Sequence, residues 1–532
     1  MTIIIFIVSI AIYVLAGLFI ARKVKNSDDF FVMGERGSTL LIVGTLAATY
    51  LSAVTLLGIS GISYSEGPLV IATTGSFGAW IGTLLAVIYV GRKMKGLGCQ
   101  TMPDFFRDRF QSKAVTTTAT IIMIIGLLGY GVIQLIGAGL LIEELTGLNF
   151  SLIVIIFVIA LLAFTLFGGM YGVVVTDTMM FFVMIAVSAI VAPWIIAKAG
   201  FPEMRSLSET LPGYWTIEGT QNRSLTFTFS QFLVWVIFFT CTPALVSRVF
   251  PAKNDFVILK ATLIGVFLAA AMQVPIFLAA AGMQVIQPGI EPTDRVMIVA
   301  FLEQVPPVLG GIGLAALMAA IMSTTSTLFV IAGFGLSRDL FQNLKKTRMD
   351  EKQFMRVNRI AQLIIAIIVA IIAIIRPSAI YWISIYAGAL FGVGWLPSVI
   401  GGIEWRRTNH KSAQASMVLG VLSFILVTEL ERFSVIELPS ILDPLIISFL
   451  VSVITLIVVS LLTKPGQGEL IYFEKVKNTR ASDATIARFL GQKDGLISMK
   501  REIRHVLLVM SILILMAIAV WGFFFIKLGI TS

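Results

Sequence analysis

This sequence is poor in charge. Only 13% of its 532 residues are Asp, Glu, Lys or Arg, while 58% are hydrophobic. A soluble chain needs roughly a quarter of its residues charged to cover its surface, so a soluble globular protein is excluded. Cysteine and histidine are almost missing, with two of each. Cys99 falls in a short polar segment and Cys241 inside an apolar run, which argues against a structural disulfide. His410 and His505 both lie at the ends of apolar runs. There is no zinc-binding helix motif, no phosphate-binding loop and no nucleophile elbow. The longest polar segment, 464–505, is too short for a catalytic domain. An enzyme is therefore not expected, and no cofactor is called for.

Long apolar runs fill the chain instead. Fourteen are close to bilayer-crossing length: 2–21, 39–63, 69–91, 115–142, 151–168, 177–197, 227–247, 257–282, 308–336, 360–375, 378–402, 413–429, 441–463 and 506–526. None alternates in polarity as a β-barrel strand does. The fold class is an all-α polytopic membrane protein with about 14 transmembrane helices. The basic residues set its orientation. With the N-terminus outside, the inside segments are 22–38, 92–114, 169–176, 248–256, 337–359, 403–412 and 464–505, and they hold 31 of the 39 Lys and Arg. Both termini are then external, in a multi-pass protein of the cell membrane. The net charge of +10 is a topology signal rather than a nucleic-acid footprint, because it is spread over separate short loops. The first run has no basic segment before it, only Arg22, Lys23 and Lys25 after it, so it reads as a retained helix and not a signal peptide.

Runs two to six and seven to eleven form a candidate repeat. Five is odd, so the second set is inverted relative to the first. In such architectures the binding site lies at mid-membrane, where the first helix of each repeat is broken. Four parts follow: 1–38, a first helix and basic loop; 39–226, the first repeat with an outer loop; 227–404, the inverted repeat; and 405–532, three further helices with the basic loop 464–505. The second run places Thr45, Thr49, Tyr50, Ser52 and Thr55 at mid-depth between glycines, and the seventh contains Pro243. Unwound backbone is tolerated there only inside protein or beside a water-filled cavity. Small residues at close helix contacts and ordinary proline kinks are the competing explanation.

The ninth run contains four hydroxylated residues in a row, Ser323 to Ser326. Ser323 and Thr324 follow Ala320 by three and four residues, so all three share one helix face. Two hydroxyls and the Ala320 carbonyl therefore converge, and carbonyls of Ala48 and Leu51 from the second run complete five neutral oxygens suited to a hard cation. A cation abundant outside the cell, sodium, fits so weak a set. The alternative is that these hydroxyls bond back to their own helix. Asp177, at the start of the sixth run, is either a helix N-cap or part of an ion path.

Five segments in order resemble the sodium:solute symporter family: Asp29-Phe30-Phe31-Val32-Met33-Gly34; Leu57-Gly58-Ile59-Ser60-Gly61; Gly168-Gly169 with Thr176-Asp177; Pro243 with Ser247-Arg248 and Ala252-Lys253-Asn254; and Ala319-Ala320-Ile321-Met322-Ser323-Thr324 with Asp339-Leu340-Phe341. The resemblance implies a LeuT-like inverted five-helix repeat with one N-terminal and three C-terminal helices. It implies one sodium site at Ala48, Leu51, Ala320, Ser323 and Thr324, with Asp177 on the sodium route. It implies substrate contacts from Trp235, Phe239 and Pro243, faced by Ser52, Ala53 and Thr55, with Gln134 beside them. The proline branch carries a carboxylate where this chain has Tyr50, and Thr49-Tyr50-Leu51-Ser52-Ala53 is closer to the pantothenate branch. The expected activity is sodium-driven symport of a small organic solute by alternating access, such as pantothenate or a monocarboxylate. The expected partners are that solute, sodium and the lipid bilayer, with no nucleic acid and a monomer sufficient for transport. A membrane sensor, or a sodium-independent or proton-coupled transporter, is the alternative. Proton coupling lacks a mid-span His, Asp or Glu in the second, seventh and ninth runs.

Overall fold

The computed structural model describes residues 1–71, 75–342, 349–375, 380–480, 482, 485–486 and 495–528. Among these residues the only β pairing is one bridge between Gly37 and Ala252. The helices in the first part are α1 (Thr2–Ala21), α2 (Thr39–Tyr50), α3 (Val54–Ser65), α4 (77–96), α5 (Met102–Phe110), α6 (Lys113–Thr146) and α7 (Phe150–Ala186). There follow α8 (Leu225–Thr240), α9 (Pro243–Val249), α10 (Asp255–Ile286), α11 (Pro307–Phe334), α12 (Glu351–Ile374) and α13 (Ile380–Glu404). The last four are α14 (His410–Arg432), α15 (Pro444–Leu462), α16 (Gln467–Asn478) and α17 (Gly495–Leu528).

Ten helices among the described residues are long and apolar enough to cross a bilayer, and two bent pairs raise that to twelve. This falls short of the fourteen spans expected. The run 69–91 includes 72–74, outside the described residues, and its helix passes through a π-turn at Leu85–Gly91. The run 151–168 contributes a shorter apolar helix, Phe150–Ala163. The expected loop 169–176 is absent as a loop. The turn is made at Gly169 alone, whose non-helical φ of 49° and ψ of −148° suit a residue without Cβ and kink α7 there, and residues 170–176 are already helical. Asp177 is consequently inside α7 and is not an N-cap.

α11 forms the centre. Its residues are buried without interruption from Gly313 to Phe334, as expected of a helix apolar on every side. α1, α2, α6 and α7 pack around it, while α17 lies at the periphery against α10. Polar contacts sort the connecting segments onto two faces. On one, Lys95 Nζ donates to Phe250 O at 2.7 Å, Arg338 pairs with Asp104 at 3.2 Å, and Arg109 Nε donates to Gly402 O at 2.8 Å. This is the basic face. On the other, Tyr214 Oη donates to Ser63 O at 2.9 Å and Tyr64 Oη to Gln287 O at 2.9 Å, covering the end of α3.

Candidate binding site at two broken helices

The second run breaks where α2 gives way to α3, with a 51° bend. Leu51 is extended (φ −83°, ψ 99°), and α3 opens with π-helical turns over Val54–Ile59. Across the break Leu51 N donates to Ala47 O and Leu56 N to Ser52 O, both at 3.0 Å. Ala53 N leaves the backbone pattern and donates to Gln134 Oε1 on α6 at 3.2 Å. The carbonyls of Ala48 and Leu51 receive none of these bonds. A buried carbonyl without a donor is costly, so oxygens freed here favour a cation or water.

The seventh run breaks between α8 and α9, with a 48° bend. Thr242 is extended (φ −66°, ψ 117°), as a residue before proline prefers. Pro243 then opens α9, where its missing N–H costs nothing. The bent pairs are the first helices of the two proposed repeats.

On α11 the hydroxylated run extends one residue past the expected four, to Thr327, and four of its five hydroxyls turn back on their own helix, Thr327 Oγ1 donating to Ser323 O at 2.9 Å. Thr324 Oγ1 donates to Ala320 O at 3.0 Å, Thr325 Oγ1 to Ile321 O at 2.6 Å and Ser326 Oγ to Ser323 O at 3.0 Å. A hydroxyl that donates its proton still presents lone pairs, so the self-bonded and ion-binding readings of Thr324 are compatible. Ser323 Oγ differs. It is buried, makes no hydrogen bond of good geometry, and has the Asp177 carboxylate as its polar neighbour. Ala48, Leu51 and Ala320 are also fully buried.

Below this lies a polar knot. Asp177 Oδ2 accepts from Thr45 Oγ1 at 2.6 Å and pairs with Arg248 Nη2 at 3.1 Å, both side chains being 0% exposed. The same Arg248 nitrogen donates to Thr49 Oγ1 at 2.6 Å and to Thr327 Oγ1. One guanidinium thus joins α2, α7, α9 and α11. Asp177 Oδ1 has no hydrogen-bond partner. A buried pair of this kind is costly to form, but removing one member leaves an uncompensated charge.

The expected substrate residues form a second group. Trp235 and Phe239 have ring centroids 5.5 Å apart, with Phe238 4.7 Å from Phe239 and Tyr50 5.6 Å from Phe239. Ser52 Oγ lies 3.3 Å from Tyr130 Oη, and Tyr130 faces Phe238 at 6.4 Å. Ala53 and Gln134 meet through the bond already given. Thr55 turns away from this group, donating to Tyr50 O at 3.1 Å. Pro243 also stands apart, lining a cavity of about 20 Å³ with Met170, Ser247 and Val330 toward the basic face, enough for one water.

Sequence reasoning missed Tyr130, Phe238 and Arg248 as site residues. Tyr130 precedes Gln134 by one helical turn and so shares its face, a signal available beforehand. Phe238 adjoins Phe239. Arg248 stands in one of the five resembling segments, but the charge count placed it in a loop, and its full burial depends on Asp177 reaching it from α7.

Two helices broken at membrane depth beside a buried hydroxyl-rich helix define a secondary transporter. The chain belongs to the sodium:solute symporter family, whose model matches residues 30–420. The sodium/pantothenate symporter of Haemophilus influenzae is 26% identical over 441 residues, covering 79% of this chain and 88% of the relative. Sodium/proline symporter 2 of Staphylococcus saprophyticus is also 26% identical, over 473 residues, covering 85% and 91%. A Na+-coupled sialic acid symporter, solved in a substrate-bound outward-open state, aligns with a TM-score of 0.72 at 18% identity, covering 87% of this chain and 98% of that one. The fold is thus the LeuT-like one expected, and the protein is a multi-pass sodium:solute symporter.

Proposed function

We propose that the chain couples one sodium ion to the uptake of a small organic anion. Sodium is held by the carbonyls of Ala48, Leu51 and Ala320 and the hydroxyls of Ser323 and Thr324. The observation that carries this is the conjunction of the freed Ala48 and Leu51 carbonyls with the buried Ser323 hydroxyl, which is not spent on its own helix and has the Asp177 carboxylate as its polar neighbour. Asp177, neutralised on one oxygen by Arg248, lies on the route by which sodium leaves. The basic face is cytoplasmic, with both termini outside, and a monomer suffices.

The solute occupies the group made by Tyr50, Ser52, Ala53, Tyr130, Gln134, Trp235, Phe238 and Phe239. Thr55 and Pro243 shape the two breaks beside it. All eight residues are uncharged. Tyr50 Oη and Gln134 Nε2 are buried without partners, and both can donate. Idle donors against aromatic walls suit a carboxylate on an apolar body. Equal 26% identity to pantothenate and proline symporters leaves this choice to the pocket itself.

Sodium binding ties the broken second helix to α11 and stabilises the form that receives solute. Coupling follows only if sodium favours that form over the other. One sodium carried with one monoanion moves no net charge, so the sodium gradient supplies the work; the membrane potential contributes about 2.3 kcal/mol per 100 mV only for each net charge moved. The test is uptake into sodium-free proteoliposomes under an inward sodium gradient, with pantothenate, short monocarboxylates, proline and a sugar. Sodium-driven accumulation of one acid, lost in Ser323→Ala/Thr324→Ala, is expected. Accumulation indifferent to sodium and to both substitutions contradicts the ion site.

A further inference from the structure

α16 lies on the basic face and is held very differently at its two ends. Its Glu469, Phe473 and Val476 are buried, at i, i+4 and i+7, and so form one face. That face is docked firmly. The Glu469 carboxylate accepts from Gly466 N and His410 N, both at 2.6 Å. Fully buried Arg109 of α5 donates to the carbonyls of Gly402 (2.8 Å), Thr408 (3.0 Å) and Glu469 (3.3 Å), and its guanidinium lies 5.2 Å from the Phe473 ring centre. Arg109 thereby fastens α16 to the end of α13 and the start of α14.

The far end of α16 meets the basic-face end of α4 directly at Thr479, and indirectly through Glu404, the last residue of α13, which both helices contact. Lys477 pairs with Glu404, both well exposed, and Tyr89 Oη donates to the other Glu404 oxygen at 2.7 Å. Lys93 Nζ, one turn beyond Tyr89, donates to Thr479 O at 2.5 Å. α4 is in turn locked to α10 by the two-pronged Arg92–Asp255 pair, 2.6 Å on each prong. α10 packs on α2, and α4 on α8, so α4 belongs with the broken helices. α16 therefore bridges the broken-helix unit and the helices outside it. Alternating access on such folds moves one helix set against the other. In this structure the basic-face side is closed, with Asp177 and Arg248 both at 0% exposure.

We propose that α16 is a releasable strap that holds the transporter closed on its basic face, anchored by Arg109 and gripping α4 at Lys93 through Thr479 and at Tyr89 through Glu404 of α13, which Lys477 holds. Opening that face requires Tyr89 and Lys93 to leave these partners. The asymmetry makes it a latch: the anchor is buried, whereas the grip consists of solvent-screened contacts that break readily. The proposal rests on the alternating-access reading and on the basic face being the cytoplasmic one.

The test uses the full chain in inside-out vesicles, with Val330→Cys as reporter in a Cys99→Ser/Cys241→Ser background. Val330 lines the small cavity on the basic-face side and is 1% exposed. Labelling by an impermeant maleimide reads how often that side opens. The triple change Tyr89→Phe/Lys93→Ala/Lys477→Ala is expected to raise the labelling rate roughly ten-fold. An unchanged rate overturns the strap. If sodium slows labelling in both proteins even then, the sodium site stands without the strap. A raised rate indifferent to sodium leaves the strap and sinks the sodium site. As a second arm, Lys93→Cys/Thr479→Cys joined by a short bis-maleimide should cut uptake more than ten-fold. Undiminished uptake after complete cross-linking also overturns the proposal.

Discussion

The two broken helices bend by nearly the same angle, 51° and 48°, and reach it by different chemistry. The α8–α9 break is local. Pro243 cannot continue a helix, Thr242 is forced extended, and a new helix starts with proline in its first turn. The α2–α3 break has no proline. It is held from outside, by the Gln134 amide taking the Ala53 N–H and by Arg248 gripping Thr49. A bend written into the local sequence survives changes elsewhere. A bend held by distant partners is exposed to them, and this is the one that carries Ala48 and Leu51, the carbonyls proposed to hold sodium.

Substitutions that separate local from imported bending should differ in size. Arg248→Met is expected to have the largest effect, because it removes the tie common to both breaks and leaves Asp177 charged and unpaired. The loss is about 3–5 kcal/mol of stability, read as a collapse in monodisperse yield and thermal midpoint. Asp177→Asn added to it should recover part of that loss. Gln134→Leu comes next. It strands the buried Ala53 N–H, at about 1–3 kcal/mol, and should weaken sodium and solute together, since it relaxes only the ion-bearing break. Half-saturation for both, measured in sodium-gradient uptake, is the check. If only solute affinity falls, Gln134 is a substrate contact and not the support of the break. Pro243→Ala should have the smallest effect, under about 1 kcal/mol, with solute affinity changed a few-fold and sodium affinity unaltered. A larger effect from Pro243→Ala than from Gln134→Leu would reverse the ranking of the two breaks.

The same contrast explains what was legible in advance. Pro243, the hydroxyl run Ser323–Ser326 and the polar stretch Thr45–Thr55 are periodic or compositional signals, and each falls where the folded chain is broken or densely buried. The separation of basic loops anticipated which segments share a face, because positive charge is retained on one side of a bilayer. The course near Asp177 was not legible. Gly169 at positive φ makes the turn within a single residue, so residues 170–176 are already helical, which composition alone cannot distinguish from a longer loop. Nor was the partnership of Arg248 with Asp177 or the docking of α16 by Arg109, for each depends on residues far apart in sequence meeting only after folding. Of the residues proposed to hold the solute, Trp235 and Phe239 pack together and Gln134 meets Ala53, while Thr55 spends its hydroxyl on its own backbone.

Sodium coupling as proposed requires the ion to sit between the α2–α3 break and α11. The most direct measurement is equilibrium binding of radiolabelled sodium to the purified protein, set beside Ser323→Ala/Thr324→Ala, with the thermal midpoint in sodium-free buffer as a control for folding. The account predicts saturable sodium binding in the parent and none in the double variant at an unchanged midpoint. Undiminished sodium binding by the folded double variant would contradict it.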